Sequence, residues 1–163
     1  MIFVILGSQK NQFNRLLKAL DAQIEAGLIK DEVYAQTGYS DYEPSNYAFS
    51  RFLDRDKFEQ KETEASLVIT HGGTGAIMGA LKKGKKVIAV PRKSELGEHN
   101  DGHQIQVVRE LSAAGLIACC EDTDTLYDVI RQAKEKEYEL YRNAYHSSTK
   151  RYLEEIEDFI NSL

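Results

Sequence analysis

Residues 66–92 read SLVITHGGTGAIMGALKKGKKVIAVPR, and this stretch decides the fold. Residues 66–70 carry β-branched side chains and no charge, as a strand covered on both faces of a parallel sheet must. The chain leaves this strand through His71, Gly72, Gly73, Thr74 and Gly75, then enters a helical face of Ala76, Ile77, Ala80 and Leu81 that ends at Gly84. Residues 87–91 form a second uncharged strand, stopped by Pro91. A strand, a glycine-rich turn and a helix bring backbone N–H groups to a helix N-terminus at the carboxyl edge of a sheet, where open α/β sheets bind anionic ligands. The same glycines also permit a tight turn with no ligand, so the choice falls to the rest of the chain.

Working outward, MIFVIL at residues 1–6 is a strand followed by the turn Gly7-Ser8-Gln9-Lys10-Asn11. Phe13, Leu16, Leu17, Leu20 and Ile24 then recur at helical spacing up to Gly27. Residues 31–36 read as a second strand opening into TGYSDYEPSNY, a polar surface loop of the kind that often carries function. A short strand or bend is expected at residues 51–53 and a helix over 54–62. Beyond Pro91 a polar loop leads to a helix over 104–113, closed by Gly115, and LIACC is the last strand. From Thr123 the pattern is helical to the end, with a break expected near 134–139 or 146–149. Its second part carries a stripe including Tyr152, Ile156, Phe159 and Ile160, which fits a partner face or a helix folded back on the domain.

Strands alternating with helices predict a parallel sheet with right-handed crossovers, a Rossmann-like α/β fold in one domain over residues 1–163, with a C-terminal helical segment at 123–163. The 163 residues suffice for a real hydrophobic core without disulfide or metal. A net charge of -5 argues against a protein whose main task is neutralising nucleic-acid phosphates. No apolar run approaches the roughly 18 residues of a membrane span, and no signal-peptide pattern follows MIFVIL, so a cytoplasmic chain is expected. The adjacent Cys119 and Cys120 read as packing residues. Lys82, Lys83, Lys85, Lys86, Arg92 and Lys93 form a basic cluster that faces either anionic lipid or solvent at a helix end.

Strand adjacency can bring the Gly7-Ser8 turn and the residue 71–75 turn to one crevice, a diphosphate site with N–H groups and the Ser8 and Thr74 hydroxyls as donors. The first turn lacks the dinucleotide-binding glycine pattern and the second lacks the P-loop lysine, which weighs against NAD and ATPase chemistry. The run Glu98-His99-Asn100-Asp101-Gly102-His103-Gln104 is dense in groups that bind sugar hydroxyls. Its Gly102 makes a turn and helix cap a better reading than metal ligation. No metal and no cofactor is expected.

In order, the strand, His-Gly-Gly-Thr-Gly, helix, Gly-Lys-x-x-Ile-x-Val-Pro, polar loop ending in His-Gln, and Ala-Gly-Leu resemble the C-terminal, donor-binding half of glycosyltransferase family 28, over residues 2–129. The chain starts at the first strand of that half, so it resembles the split, two-subunit type. The run from Gly7 to Asn14 and Gly97-Glu98-His99 point to the branch of bacterial capsule and exopolysaccharide β-1,4-galactosyltransferase subunits, similar also to the nucleotide-sugar-binding subunit of the N-glycan transferase.

The resemblance implies the C-terminal half of a GT-B fold and inverting transfer of galactose or N-acetylglucosamine from a UDP-sugar to a lipid-diphosphate-linked sugar. It also implies a membrane-anchored, acceptor-binding partner that holds the chain at the inner membrane face. Gly7, Ser8, His71, Gly72, Gly73, Thr74 and Gly75 would meet the diphosphate, Phe52 and Leu53 the uracil, and His103 and Gln104 the sugar. Glu98 and His99 are candidates for the general base, although in the resembled family that base lies in the other half. Where many relatives carry a ribose-binding glutamate this chain has Gly79, which leaves the ribose to another group or to the backbone. A non-catalytic, regulatory nucleotide-sugar-binding subunit is the alternative.

Overall fold

A computed structural model describes residues 1–99 and 102–138, together with Glu154, Glu157 and Asp158. In chain order the elements are β1 (Ile2–Ile5), α1 (Asn14–Glu25), β2 (Val33–Gln36), β3 (Ala48–Ser50), α2 (Arg55–Glu64), β4 (Leu67–Thr70), α3 (Thr74–Lys82), β5 (Lys86–Ala89), α4 (His103–Ala113), β6 (Ala118–Cys119) and α5 (Leu126–Glu135). The six strands form one parallel sheet in the order β3-β2-β1-β4-β5-β6. The order reverses at β1, which pairs with β2 on one side and β4 on the other.

Every residue of β1 and β4 is buried, because helices cover both faces of the sheet. Side chains alternate across β1: Ile2 and Val4 pack with Leu16, Leu17 and Leu20 of α1 and Ile130 of α5, whereas Phe3 and Ile5 pack with Ile77 of α3 and Val108 of α4. Fully burying each of these aliphatic side chains contributes roughly 1.5–3 kcal/mol, so the uncharged strands hold the helices in place.

One expectation of the chain's course needs correction. The edge strand lies at Ala48–Ser50, and of the strand or bend expected at residues 51–53 only a bend at Arg51 forms. Tyr34 Oη and Ser50 Oγ stand 2.6 Å apart across β2 and β3, while the Leu53 N–H turns to Gln36 Oε1 and Asp54 caps α2 by accepting from the Lys57 N–H. The segment from Thr123 breaks within the expected 134–139 interval. It opens with a 3-10 turn over Thr123–Thr125, and α5 ends at Glu135, where Lys136 is extended. The stripe of Tyr152, Ile156, Phe159 and Ile160 lies outside the described residues.

The basic cluster also disperses. Lys85 Nζ donates to the Thr63 and Ala65 carbonyls at the end of α2, Lys86 Nζ donates to the Lys134 carbonyl near the end of α5, and Lys83 pairs with Glu62. Lys85 and Lys86 thus satisfy helix C-termini and Lys83 a carboxylate, each at a different place.

The loop over residues 37–47 is fastened to α1. Ser40 Oγ accepts the Phe13 N–H at 2.9 Å, and the buried Asp21 carboxylate accepts from Tyr42 Oη and from the Ser45 and Asn46 N–H groups. Cys120 is buried and Cys119 half-buried, and burial pushes the Cys119 thiol up to about 11, so neither is poised as a nucleophile.

Candidate active site

Because β1 and β4 are neighbours, the turns that leave their carboxyl ends open into the same space, at the point where the strand order reverses. A cleft of about 480 Å³ forms there. Gly7, Ser8 and Gln9 supply one wall and His71, Gly73, Thr74 and Gly75 the other. Gly79 of α3, Gln36 of β2, and Phe58 and Glu62 of α2 complete its sides.

The His71 imidazole is 7% exposed and stands between the two glycine turns. A Cβ on Gly7 would fall 2.6 Å from its Cε1, and Gly7 also adopts φ +73, a left-handed conformation that a residue with a side chain rarely takes. His71 Nδ1 lies 3.1 Å from the Ile5 carbonyl oxygen. A carbonyl can only accept, so Nδ1 carries the proton and Nε2 presents a lone pair. Burial, with the Arg92 guanidinium adding repulsion, pushes the imidazole down to about 4. His71 is therefore neutral at pH 7 and brings no positive charge to the cleft.

Positive potential comes instead from two other sources. Gly73 caps α3 with no side-chain hydrogen bond, and a backbone bond across this end runs from the Ile77 N–H to the Gly73 carbonyl. The N–H groups of Thr74, Gly75 and Ala76 precede it and open at the cleft wall. Behind the other turn lies Arg92, 1% exposed, whose guanidinium donates to the Leu6 carbonyl at 2.8 Å and to Gln9 Oε1 at 3.3 Å. Among the described residues its Nε has no hydrogen-bond partner and no carboxylate bonds to this guanidinium.

Several expected site residues lie outside the cleft lining. Gly72 packs against α4, where a Cβ would meet Val108 at 3.1 Å and Gln104 at 3.2 Å. Gln104 Oε1 accepts the Arg92 backbone N–H at 3.1 Å, tying α4 to the loop after β5. His103 is exposed at the first position of α4. Phe52 is not core: it is 47% exposed and meets the exposed Tyr39 edge-on at 5.2 Å, while Leu53 packs against the core beneath α2.

Glu98 is tied up by structure. Its two oxygens take Arg15 Nε at 2.9 Å and Nη2 at 3.0 Å, and Oε2 also accepts the Lys93 N–H. A buried carboxylate engaged in this way is not open to a substrate proton. His99 is half-buried nearby, close enough for its charge to disfavour protonation of His71.

Gln9, Gln36, Phe58, Glu62 and Arg92 were not singled out as site residues by sequence. Gln9 could have been found from its place in the first turn. Arg92 was hidden within the run of lysines, and the other three reach the cleft only through packing of α2 and β2 around it.

This strand order, with its cleft at the reversal point, is the Rossmann-like architecture of the C-terminal half of GT-B glycosyltransferases. Residues 1–160 match the glycosyltransferase family 28 C-terminal domain, and the chain belongs to that family. Over 83 residues it is 30% identical to the UDP-N-acetylglucosamine transferase subunit ALG13 of Yarrowia lipolytica, a match covering 51% of this chain and 40% of that relative. The chain thus matches well under half of that relative's length.

Among solved structures, the glycotransferase of kitacinnamycin superposes with a TM-score of 0.63 at 16% identity, covering 83% of this chain and 35% of the other. The glycosyltransferase SnogD of Streptomyces nogalater gives 0.59 at 18%, covering 96% and 39%. At such identities the likeness is one of fold.

Proposed function

We propose that this chain is the UDP-sugar-binding, catalytic subunit of a split, inverting glycosyltransferase that passes galactose or N-acetylglucosamine to a lipid-diphosphate-linked sugar. The observation that carries this reading is the cleft between β1 and β4, where the start of α3 offers N–H groups with no intrahelical partner and a buried guanidinium backs the facing turn. A diphosphate suits that field. The Ser8 and Thr74 hydroxyls stand at the two walls as further donors.

In the reaction the acceptor hydroxyl oxygen attacks the anomeric carbon from the face opposite the diphosphate. The new C–O bond forms as the bond to the β-phosphate oxygen breaks, and UDP leaves with the electron pair. Charge develops on the departing phosphate, where the α3 dipole and N–H groups are already oriented, so they stabilise the transition state more than the ground state. The acceptor proton must pass to a base within hydrogen-bond reach. Glu98 is committed to Arg15 and His71 is a weak base, so the base is assigned to a second, acceptor-binding half.

That assignment makes partner dependence part of the proposal, and the subunit named in the Yarrowia relative supports it. No described helix is long and apolar enough to cross a membrane, and contact with a lipid-linked acceptor is proposed to run through a membrane-anchored partner.

The test is calorimetric titration of the chain with UDP, UDP-galactose and UDP-N-acetylglucosamine, followed by transfer to a lipid-linked acceptor with and without the co-expressed partner. Binding alone and turnover in the complex is the expected result. Tight binding with no turnover in the complex would instead establish the regulatory reading, and absence of UDP binding would end both.

A further inference from the structure

One carboxylate enters the cleft from a direction that the glycine turns do not require. Glu62 sits in the last turn of α2, where the helix carbonyls oppose a negative charge, yet it is only 3% exposed. Burying a carboxylate costs stability unless its oxygens find donors. Oε2 finds Lys83 Nζ, at the C-cap of α3. Oε1 accepts no hydrogen bond from any described residue.

That oxygen lies beside Gly79, where a Cβ would come within 3.6 Å of it, and Glu62 and Gly79 both line the cleft. Gly79 has no side chain to cover the carboxylate, so this acceptor stays open to the ligand space.

We propose that Glu62 Oε1 accepts hydrogen bonds from a vicinal diol of the ligand, the 2′- and 3′-hydroxyls of a ribonucleoside diphosphate. The inference rests on the reading of the cleft as a nucleoside-diphosphate site and adds to it the means of selecting ribose. A carboxylate repels phosphate and takes only donors, which fixes the ligand's polarity along α3. Phosphates belong at the Thr74 end and hydroxyls at Gly79. Gly79 lies five positions beyond Thr74, about 7.5 Å at a rise of 1.5 Å per residue, a distance that the linkage from a terminal phosphate to the ribose hydroxyls of a nucleoside diphosphate can span. Lys83 holds the other oxygen and so limits rotation of the carboxylate.

The experiment is titration of the full chain with UDP, 2′-deoxy-UDP and inorganic pyrophosphate, in the wild type, Glu62→Gln and Glu62→Ala. The wild type should prefer UDP over its deoxy analogue by about ten-fold, the worth of a hydrogen bond to a charged group. Glu62→Ala should bring that ratio near unity and Glu62→Gln, whose uncharged amide oxygen still accepts from a hydroxyl, part of the way, while pyrophosphate affinity should not fall in either variant, since only a repulsive charge is removed. A role confined to holding Lys83 would weaken both nucleotides equally and preserve the ratio. Wild-type binding of UDP and deoxy-UDP with equal affinity, or an unchanged preference in both variants, would overturn the role of Glu62 while leaving the nucleotide site standing. Failure of the wild type to bind UDP at all would remove the nucleotide reading and this inference with it.

Discussion

Residue 73 and the imidazole of His71 compete for the same space: a Cβ on Gly73 would stand 2.3 Å from His71 Nε2. With Gly7 crowding the ring from the opposite turn, the glycines are needed first to house a buried histidine. Close approach of the backbone to a ligand is a second consequence of the same choice.

The clash predicts a coupled pair. Gly73→Ala should destabilise the wild type by about 1–3 kcal/mol as the ring is forced aside, and should cost clearly less in a His71→Ala background, where the ring is gone. Urea denaturation of the four proteins of this double-mutant cycle measures the coupling. Equal costs in both backgrounds would separate the two residues.

His71 also sets a pH dependence. Its proton affinity falls from an ordinary value of 6.5 to about 4 on folding, so over that interval the unfolded chain binds more protons than the folded one. Its contribution to stability is therefore fully present above about pH 6.5 and declines as pH falls towards 4, where it levels off. Stability measured across this range should slope less steeply in His71→Gln than in the wild type, and parallel slopes would place the titration elsewhere.

Arg92 predicts a ligand-specific loss. Replacing this buried guanidinium in Arg92→Met removes both the charge behind the first turn and its bonds to Leu6 and Gln9. UDP affinity should fall about ten-fold, in keeping with the loss of one charged interaction, while uridine affinity changes little and Arg92→Lys recovers part of the loss. Equal losses for UDP and uridine would make Arg92 purely structural.

Asp21 predicts a local effect away from the cleft. Burial raises its proton affinity, but hydrogen bonds from the Ser45 N–H, Tyr42 Oη and Asn46 outweigh it and hold the carboxyl below its ordinary range. Asp21→Ala should cost about 1.5–3 kcal/mol and expose the loop over residues 37–47 to chymotrypsin, which cuts after tyrosine. The same contribution is present above the unfolded carboxyl range and is lost as pH falls through the lowered folded value. Unchanged cleavage in Asp21→Ala would show that the loop is held by other contacts.

The sheet was legible in the sequence because its central strands are covered on both faces, which leaves them almost uncharged and rich in β-branched residues; β1 and β4 fall within the expected segments, and β5 starts one residue before its own, at Lys86. The edge strand was not, because Ala48–Ser50 sits at the end of a polar loop and takes its regularity from pairing with β2. The two glycine turns were legible as turns sharing a crevice. Their demand for space around His71 was not, since it depends on a ring packed between segments that are distant in sequence. Glu62 and Arg92 escaped for the same reason: one is a glutamate in a highly charged helix, the other an arginine beside lysines. Only the path of each side chain through the fold distinguishes it from its neighbours.

The walls of the cleft are mounted on parts of the sheet that differ in how readily they open. Its glycine turns spring from β1 and β4, which are fully buried and paired on both sides. The wall carrying Phe58 and Glu62 follows β3, a three-residue edge strand with no buried residue. Amide hydrogens of Ile2–Ile5 and Leu67–Thr70 should therefore exchange with solvent only when the whole domain unfolds, and those of Ala48–Ser50 by local fraying. A ligand that bridges both walls would leave the first group nearly unchanged and slow the second markedly, so the edge of the sheet would register occupancy more strongly than the turns that hold the phosphates.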